Sequence, residues 1–378
     1  MKNFPKNLAD KLAHRKHSNA LRELPRPGFR IDFASNDYLG FSQSKAIFEQ
    51  THQFLIDHNF TQNGATGSRL ISGNHPLYEL TENQIAQFHQ TESALIFNSG
   101  YDANVGFFSS VPQKGDIILY DELCHASIRD GIRLSHAKSY KFAHNDLEDL
   151  ERLLAQNRPT TIYVATESVF SMDGDSPNLE ALVDLAEKHG AYLVIDEAHA
   201  LGVFGDNGEG LVQSLGIQDK VFARIMTFGK GLGSHGATIL GSEELKNYLV
   251  NFARSLIYTT GLSPHAIATI HIGYQELQAN ATARERLREH INFFNQQKQL
   301  LGLKPLFVRS KSAIQCAIIP GNEKVKSIAN SLQEQGSEIK PILSPTVPEG
   351  QERLRICLHS YNTIEQISAL LNALQKLL

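Results

Sequence analysis

The chain has 378 residues, with 36 Lys and Arg against 40 Asp and Glu, a formal charge of −4, and 41% hydrophobic residues. At about 150 residues per domain this leaves room for two or three domains with a real core, and so many apolar residues at so low a charge exclude global disorder. A mildly acidic chain offers no general basic face for nucleic acid, and no run reaches the ~20 apolar residues of a membrane helix, so neither is an expected partner. Cys124, Cys316 and Cys357 are far apart, odd in number and form no CxxC, which points to a reducing compartment. The N-terminal segment MKNFPKNLADKLAHRKH is charged and lacks the apolar stretch of a secretory signal. A cytoplasmic location is the expectation.

In chain order, residues 6–24 read as a basic amphipathic helix with Leu8, Leu12 and Leu21 roughly on one side, broken by Pro25, Pro27 and Gly28. This predicts an N-terminal arm packed on the body. From residue 76 onward, helical stretches at 76–90, 102–111, 126–136, 146–157, 178–189, 243–255 and 263–279 alternate with short apolar runs. Those runs are Ala94–Phe97, Asp116–Tyr120, Thr161–Thr166, Tyr192–Ile195, Arg224–Phe228 and Ala237–Leu240. Buried strands spaced by helices predict βαβ units around a mostly parallel sheet. Only Gly229–Gly236 separates the last two strands, too little for a crossover helix, so that pair is expected antiparallel and the sheet mixed.

After about 280 the texture changes. A polar helix (281–299), a strand at Ala313–Ile319, a helix (323–335), a segment holding Pro341, Pro345 and Pro348, a strand at Arg353–Leu358 and a last helix (363–378) form a smaller α/β unit. The expected organisation is an arm at 1–40, a large domain at 41–280 and a small C-terminal α/β domain at 281–378.

Two motifs are decoys. Asp196-Glu197-Ala198-His199 spells a helicase DEAH box, but no GxxxxGK[ST] precedes it. Gly231-Leu232-Gly233-Ser234-His235-Gly236 fits GxGxxG but leads into a strand rather than opening a helix. HExxH and GxSxG are absent, and the histidines show no paired metal spacing.

What remains is a constellation at strand ends, where open α/β sheets bind ligands. Asp196 ends one strand. Lys230 follows another, flanked by Gly229 and Gly231. Asn98-Ser99-Gly100-Tyr101 ends a third and opens a helix, and such helix starts bind anions. Asp121 ends a fourth, with His125 at the next helix start. Each feature alone has an ordinary reading: a surface lysine, an N-cap or a turn. Together they supply what pyridoxal 5′-phosphate (PLP) needs: an amine for the Schiff base, a carboxylate for the ring nitrogen, an anion cradle and a flat ring cover.

The chain resembles the α-oxoamine synthases, a branch of the fold-type-I PLP enzymes. The resemblance runs from Ser35-Asn36-Asp37-Tyr38-Leu39-Gly40 to Arg353-Leu354-Arg355. Between them it includes Gly67-Ser68-Arg69, Ser72-Gly73, His125-Ala126-Ser127, Glu167, Phe170-Ser171-Met172-Asp173-Gly174-Asp175, Asp196-Glu197-Ala198-His199, Thr227-Phe228-Gly229-Lys230 and Tyr258-Thr259-Thr260. It implies a decarboxylative condensation of a small amino acid with an acyl thioester, in a homodimer with active sites at the interface. The thioester carrier would be CoA or an acyl carrier protein.

By the same resemblance, Lys230 is the Schiff-base lysine, Asp196 pairs with the pyridinium nitrogen, His199 contacts the ring hydroxyl and His125 stacks on the ring. Gly100, Tyr101, Ser171 and Thr227 seat the cofactor, and Thr260 reaches the partner's phosphate. Asn36 and Arg355 bind the amino-acid carboxylate, and Arg22 the acyl substrate. Phe142-Ala143-His144-Asn145-Asp146, Phe252–Tyr258 and Pro345-Thr346-Val347-Pro348 favour the branch that joins L-alanine to a pimeloyl thioester in biotin synthesis. The branches using glycine with acetyl-CoA or serine with a long acyl-CoA share the machinery, and some relatives are non-catalytic partner subunits. One departure stands out. The family often follows its C-terminal arginine with Ser/Thr-Ala-x-His, where this chain has His359-Ser360-Tyr361-Asn362.

Overall fold

Strands of five or six residues, apolar in all but one edge strand, build the central sheet of the structure, a computed structural model that describes residues 4–22, 24, 28, 30–156 and 160–378. Its strands are β1 (Ser93–Phe97), β2 (Ile117–Asp121), β3 (Lys138–Phe142), β4 (Ile162–Glu167), β5 (Tyr192–Asp196), β6 (Ala223–Thr227) and β7 (Ala237–Gly241). They lie in the order β1-β7-β6-β5-β4-β2-β3. β3-β2-β4-β5-β6 pair in parallel, while β7 runs antiparallel to both β6 and β1. The mixed sheet and its antiparallel pair are as the short 229–236 connection predicts.

Successive residues of a strand face opposite sides, and β2 shows the consequence. Ile118 joins a core with Phe107 and Phe108 of α4 (Gly100–Ser110) and Ile128 of α5 (Ala126–Leu134). Its neighbour Leu119 joins a second core with Leu150 and Leu154 of α6 (Leu147–Gln156) and Leu182 of α7 (Leu179–His189). Both faces are covered, which is why the inner strands read as unbroken apolar runs. Helix starts follow capping chemistry. Ser99, Asn178 and Ser242 each accept a backbone N–H of the first turn, and α7 stops at Gly190 in the left-handed region (φ 64°).

Two elements differ from expectation. The helix expected over 243–255 is two, Glu243–Phe252 and Arg254–Ile257, broken at Ala253 with ψ 99°. The break seats Ser255 on α4, its Oγ donating to the Asp102 carbonyl at 2.6 Å. The N-terminal helix spans only Lys6–His17 and buries no side chain, with Leu8 and Leu12 about half exposed. The expectation of an arm packed on the body is therefore corrected for this helix. Pro25, Pro27 and Asn157 lie outside the described residues.

The chain forms two compact units: Asn36–Ser171 with Asp175–Arg288, and residues up to Ser35 with Met172–Gly174 and Glu289–Leu378. The division falls within helix Thr282–Leu300 rather than at 280, and the N-terminal segment groups with the C-terminal unit. That unit holds β8 (Ile314–Ile318), β9 (Lys340–Ile342) and β10 (Arg353–Cys357), antiparallel in the order β9-β10-β8. The His359–Asn362 run fastens it locally. His359 is fully buried, stacks on Tyr361, and contacts the Asp32 carbonyl and Ser35 Oγ at 3.1 and 3.2 Å. Tyr361 donates to Asp32 Oδ2 at 2.9 Å. Among the described residues no helix is long and apolar enough to cross a membrane, and no His/Cys/Asp/Glu group is arranged to hold a metal.

Candidate active site

Parallel strands place their carboxyl ends on one edge of the sheet, and that edge carries a pocket of about 170 Å³. It is lined by six of the expected residues (Gly100, Tyr101, His125, Asp196, Thr227 and Lys230) together with Asn104, Ser127, Glu167 and Ala198. Gly100 is required sterically, since a Cβ there would collide with Thr227 Oγ1. Ser99 Oγ takes the Asp102 N–H at 3.0 Å, so the N–H groups of Gly100 and Tyr101 at the start of α4 face outward for an anion. Tyr101 is half exposed and donates to Asp130 at 2.8 Å.

Lys230 Nζ lies 2.8 Å from His199 Nε2, and His199 Nδ1 lies 2.7 Å from the buried Tyr38 hydroxyl. Tyr38 donates onward to Asn36 Oδ1 at 3.2 Å. A phenol has one proton to give. The direction is therefore set: His199 donates from Nδ1 to Tyr38, and its Nε2 accepts from Lys230. Asn36 and His199 are thereby tied to Lys230 by a chain of hydrogen bonds.

Asp196 is buried, with Oδ1 accepting the Ala198 N–H at 2.9 Å and Oδ2 accepting Asn104 Nδ2 at 2.8 Å. The DEAH-like run thus splits by placement. Asp196 lines the pocket and His199, not itself a lining residue, contacts Lys230, whereas the buried Glu197 pairs with Arg224 at 2.9 Å and caps the Leu211 and Val212 N–H groups.

His125 caps α5, its Nδ1 2.7 Å from Ser127 Oγ, and its backbone N–H donates to Glu167 at 2.6 Å. Burial lowers the pKa of its ring, and the Lys230 charge adds to this against the pull of Asp196. The imidazole is thus neutral at neutral pH.

Not every expected residue lines this pocket. Ser171 and Thr260 are not among the lining residues, and Thr260 is exposed, its carbonyl accepting Asn98 Nδ2 at 2.7 Å. Arg22 and Arg355 belong to the other unit, where Arg22 donates to Thr346 at 3.1 Å and Arg355 approaches Cys357 Sγ at 2.9 Å. The sequence reading gave no role to Tyr38, Asn104 or Glu167. For Asn104 the signal was present: it stands one helical turn after Gly100, on the same face of α4.

Outside the pocket lining, His144 bridges Asp121 and Asp175, both at 2.9 Å. Burial opposes a charged ring, but the hydrogen bonds and charges of the two carboxylates outweigh it and raise His144 to about 10. A pKa raised on folding contributes stability that is full below about 6.5 and is lost as pH climbs through about 10. We therefore expect the thermal midpoint to fall over that window. His144→Gln should start lower, by about 3 kcal/mol for breaking a largely buried ionic cluster, and show little further fall. Parallel melting curves of the two proteins from neutral to alkaline pH would contradict the bridge.

A sheet of this order, with a lysine and a carboxylate at its C-terminal edge, defines the fold-type-I class of PLP enzymes. The family model for aminotransferase class I and II matches residues 30–374, and the chain belongs to this family. An 8-amino-7-oxononanoate synthase of Emericella nidulans is 40% identical over 409 aligned residues, covering 99% of this chain and 97% of that one. The crystal structure of the Francisella tularensis 8-amino-7-oxononanoate synthase matches with a TM-score of 0.78 at 30% identity, covering 92% and 97%. A serine palmitoyltransferase from S. paucimobilis, solved with bound PLP and myriocin, matches with a TM-score of 0.89 at 25% identity, covering 98% and 96%.

Proposed function

We propose that the chain is an 8-amino-7-oxononanoate synthase, a PLP-dependent acyltransferase that condenses L-alanine with a pimeloyl thioester and releases CO₂ and the free thiol. The observation that carries this is the gathering of Lys230, Asp196 and His125 in one pocket, in a chain 40% identical across its length to a synthase of that name. The pocket fits PLP in its donor set and shape. There is a reachable amine, a buried carboxylate, and a glycine cradle that a side chain would fill.

When bound, PLP supplies an electron sink for a carbanion at the amino-acid Cα. The chain's residues do the rest. Lys230 would hold the cofactor through its amine and would take and return the Cα proton from beside that carbon. His199, fixed by Tyr38, accepts from the Lys230 amine. Asp196 would keep the ring nitrogen protonated. Neutral His125 would cover the ring and polarise the thioester carbonyl. The N–H groups of Gly100 and Tyr101, with Thr227 and Ser171, hold the phosphate. Asn36 and Arg355 are the proposed ligands of the alanine carboxylate, and Arg22 of the pimeloyl carboxylate.

We also propose a homodimer in which Thr260 reaches the partner's phosphate. Supporting it, Leu70 and Ile71, between the Gly67–Arg69 and Ser72–Gly73 motifs, are 52% and 85% exposed, and Tyr258 of the Tyr258–Thr260 motif is 72% exposed. Apolar surface of that kind asks for a cover. A cytoplasmic location is supported by three buried free cysteines. The division into an arm at 1–40, a large cofactor domain at 41–280 and a small domain at 281–378 is proposed as the functional organisation.

The serine palmitoyltransferase superposes more closely than the Francisella enzyme, but at lower identity than the Emericella relative. A cross-panel assay decides between them: L-alanine, glycine and L-serine against pimeloyl, acetyl and palmitoyl thioesters, on CoA and on acyl carrier protein. L-alanine with the pimeloyl thioester should win, with glycine, one methyl smaller, behind by roughly 10–200-fold in kcat/KM. A preference for serine with palmitoyl-CoA or glycine with acetyl-CoA would overturn the assignment within the family. No turnover with any pair would favour a non-catalytic subunit.

A further inference from the structure

Glu167 ends β4 directly beside Asp196, which ends β5, and the two are paired in register across parallel strands. Their side chains leave the same face of the sheet. Both line the pocket with Lys230 and His125, and Glu167 is only 3% exposed. Two carboxyl groups placed this way resist ionising together. Hydrogen-bond donors decide which one keeps the proton. Asp196 receives two N–H donors, one on each oxygen, from Ala198 and Asn104. Glu167 receives one, the backbone N–H of His125 on Oε1. The charge therefore settles on Asp196.

Building on the PLP reading of the pocket, we propose that Glu167 is a positioning residue. It carries a proton at neutral pH, leaves Asp196 as the one ionised carboxylate of the Glu167–Asp196 pair, and pins the His125 backbone through Oε1.

Burial and the neighbouring Asp196 charge push Glu167 up to about 8, against the pull of Lys230 and of the His125 N–H. The groups facing it are Asp196 from β5, Asp121 from β2, Cys124 and His125 from the turn before α5, and Lys230 beyond β6. The proton has a consequence for Lys230. A second carboxylate in the pocket would hold its amine as ammonium, and an ammonium cannot take a Cα proton.

The test separates the proton from the pin. Infrared difference spectra of the cofactor-free protein, wild type minus Glu167→Gln, should show a protonated carboxyl band at neutral pH that fades with a midpoint near 8. Absence of that band from the difference spectrum would overturn the proton assignment. Glutamine keeps an acceptor for the His125 N–H and alanine does not. PLP should therefore bind Glu167→Ala about fivefold more weakly than Glu167→Gln, the worth of one hydrogen bond. Equal affinities would overturn the positioning role. If Glu167→Ala does not fold, the same comparison is made with Glu167→Leu against Glu167→Gln. Failure of the wild type to bind PLP would sink the reading of the pocket, while the infrared result still decides where the proton sits.

Discussion

Replacing Lys230 with alanine should abolish the borohydride-fixed PLP adduct and lower kcat by about 10⁴-fold or more. Two roles fall on one amine: covalent attachment of the cofactor, and proton transfer at Cα, which alone contributes 10²–10⁴-fold. The fold should survive. Lys230 lies in the turn between β6 and β7, is half-buried, and contacts His199 at 2.8 Å. His199 keeps its place without it, because Tyr38 holds the other ring nitrogen at 2.7 Å. Circular dichroism and the thermal midpoint should thus stay close to wild type while trapping is lost. Mass mapping of the reduced protein is the check. An adduct on any other lysine of Lys230→Ala would remove the central assignment of the pocket.

The parts of this site legible in the sequence share one property: they are local. A strand's apolar run and the residue that ends it are contiguous, so Asp196 after Tyr192–Ile195 and Lys230 after Arg224–Phe228 can be placed without knowing any neighbour. The antiparallel turn of β7 follows from the length of 229–236 for the same reason. Contacts between distant segments were not legible. Tyr38 reaches His199 across 161 residues, and nothing in either segment names the other. Glu167 and Asp196 become neighbours only through the register of β4 on β5.

Some elements hid behind their own chemistry. β3 is a sheet edge whose Lys138, Ser139, Tyr140 and Lys141 are exposed, so it shows no apolar run. This polar character is a normal protection of edge strands. Helix α2 (Lys45–Asp57) buries Ile47, Thr51 and Leu55. With a threonine in the middle of the stripe, the apolar period is too faint to read. His359 shows the opposite case. It stands out in the sequence as a departure from the family's run, and in the structure it is a buried clasp between the 32–35 and 359–362 segments.

Asp196→Asn should keep the fold and lose roughly 10²-fold or more in kcat, the cost of removing one preorganised group that stabilises developing charge. The substitution is nearly isosteric, but it turns one acceptor oxygen into a donor. Asn104 can answer that change. Its Nδ2 now serves both Asp196 and Ser127, at 2.8 and 3.0 Å, while its Oδ1 is buried without a partner among the described residues. A flip of the Asn104 amide would offer Oδ1 to the new NH₂, so the local disturbance should stay within about 1–3 kcal/mol. The lost charge has no such remedy. A neutral amide cannot hold a proton on the ring nitrogen, and the electron sink weakens while PLP still attaches to Lys230. The expected signature is a kcat far below wild type with borohydride trapping intact. Near-normal turnover in Asp196→Asn would show that the carboxylate is there to hold Asn104 and the Ala198 turn, and that the charge beneath the ring comes from elsewhere.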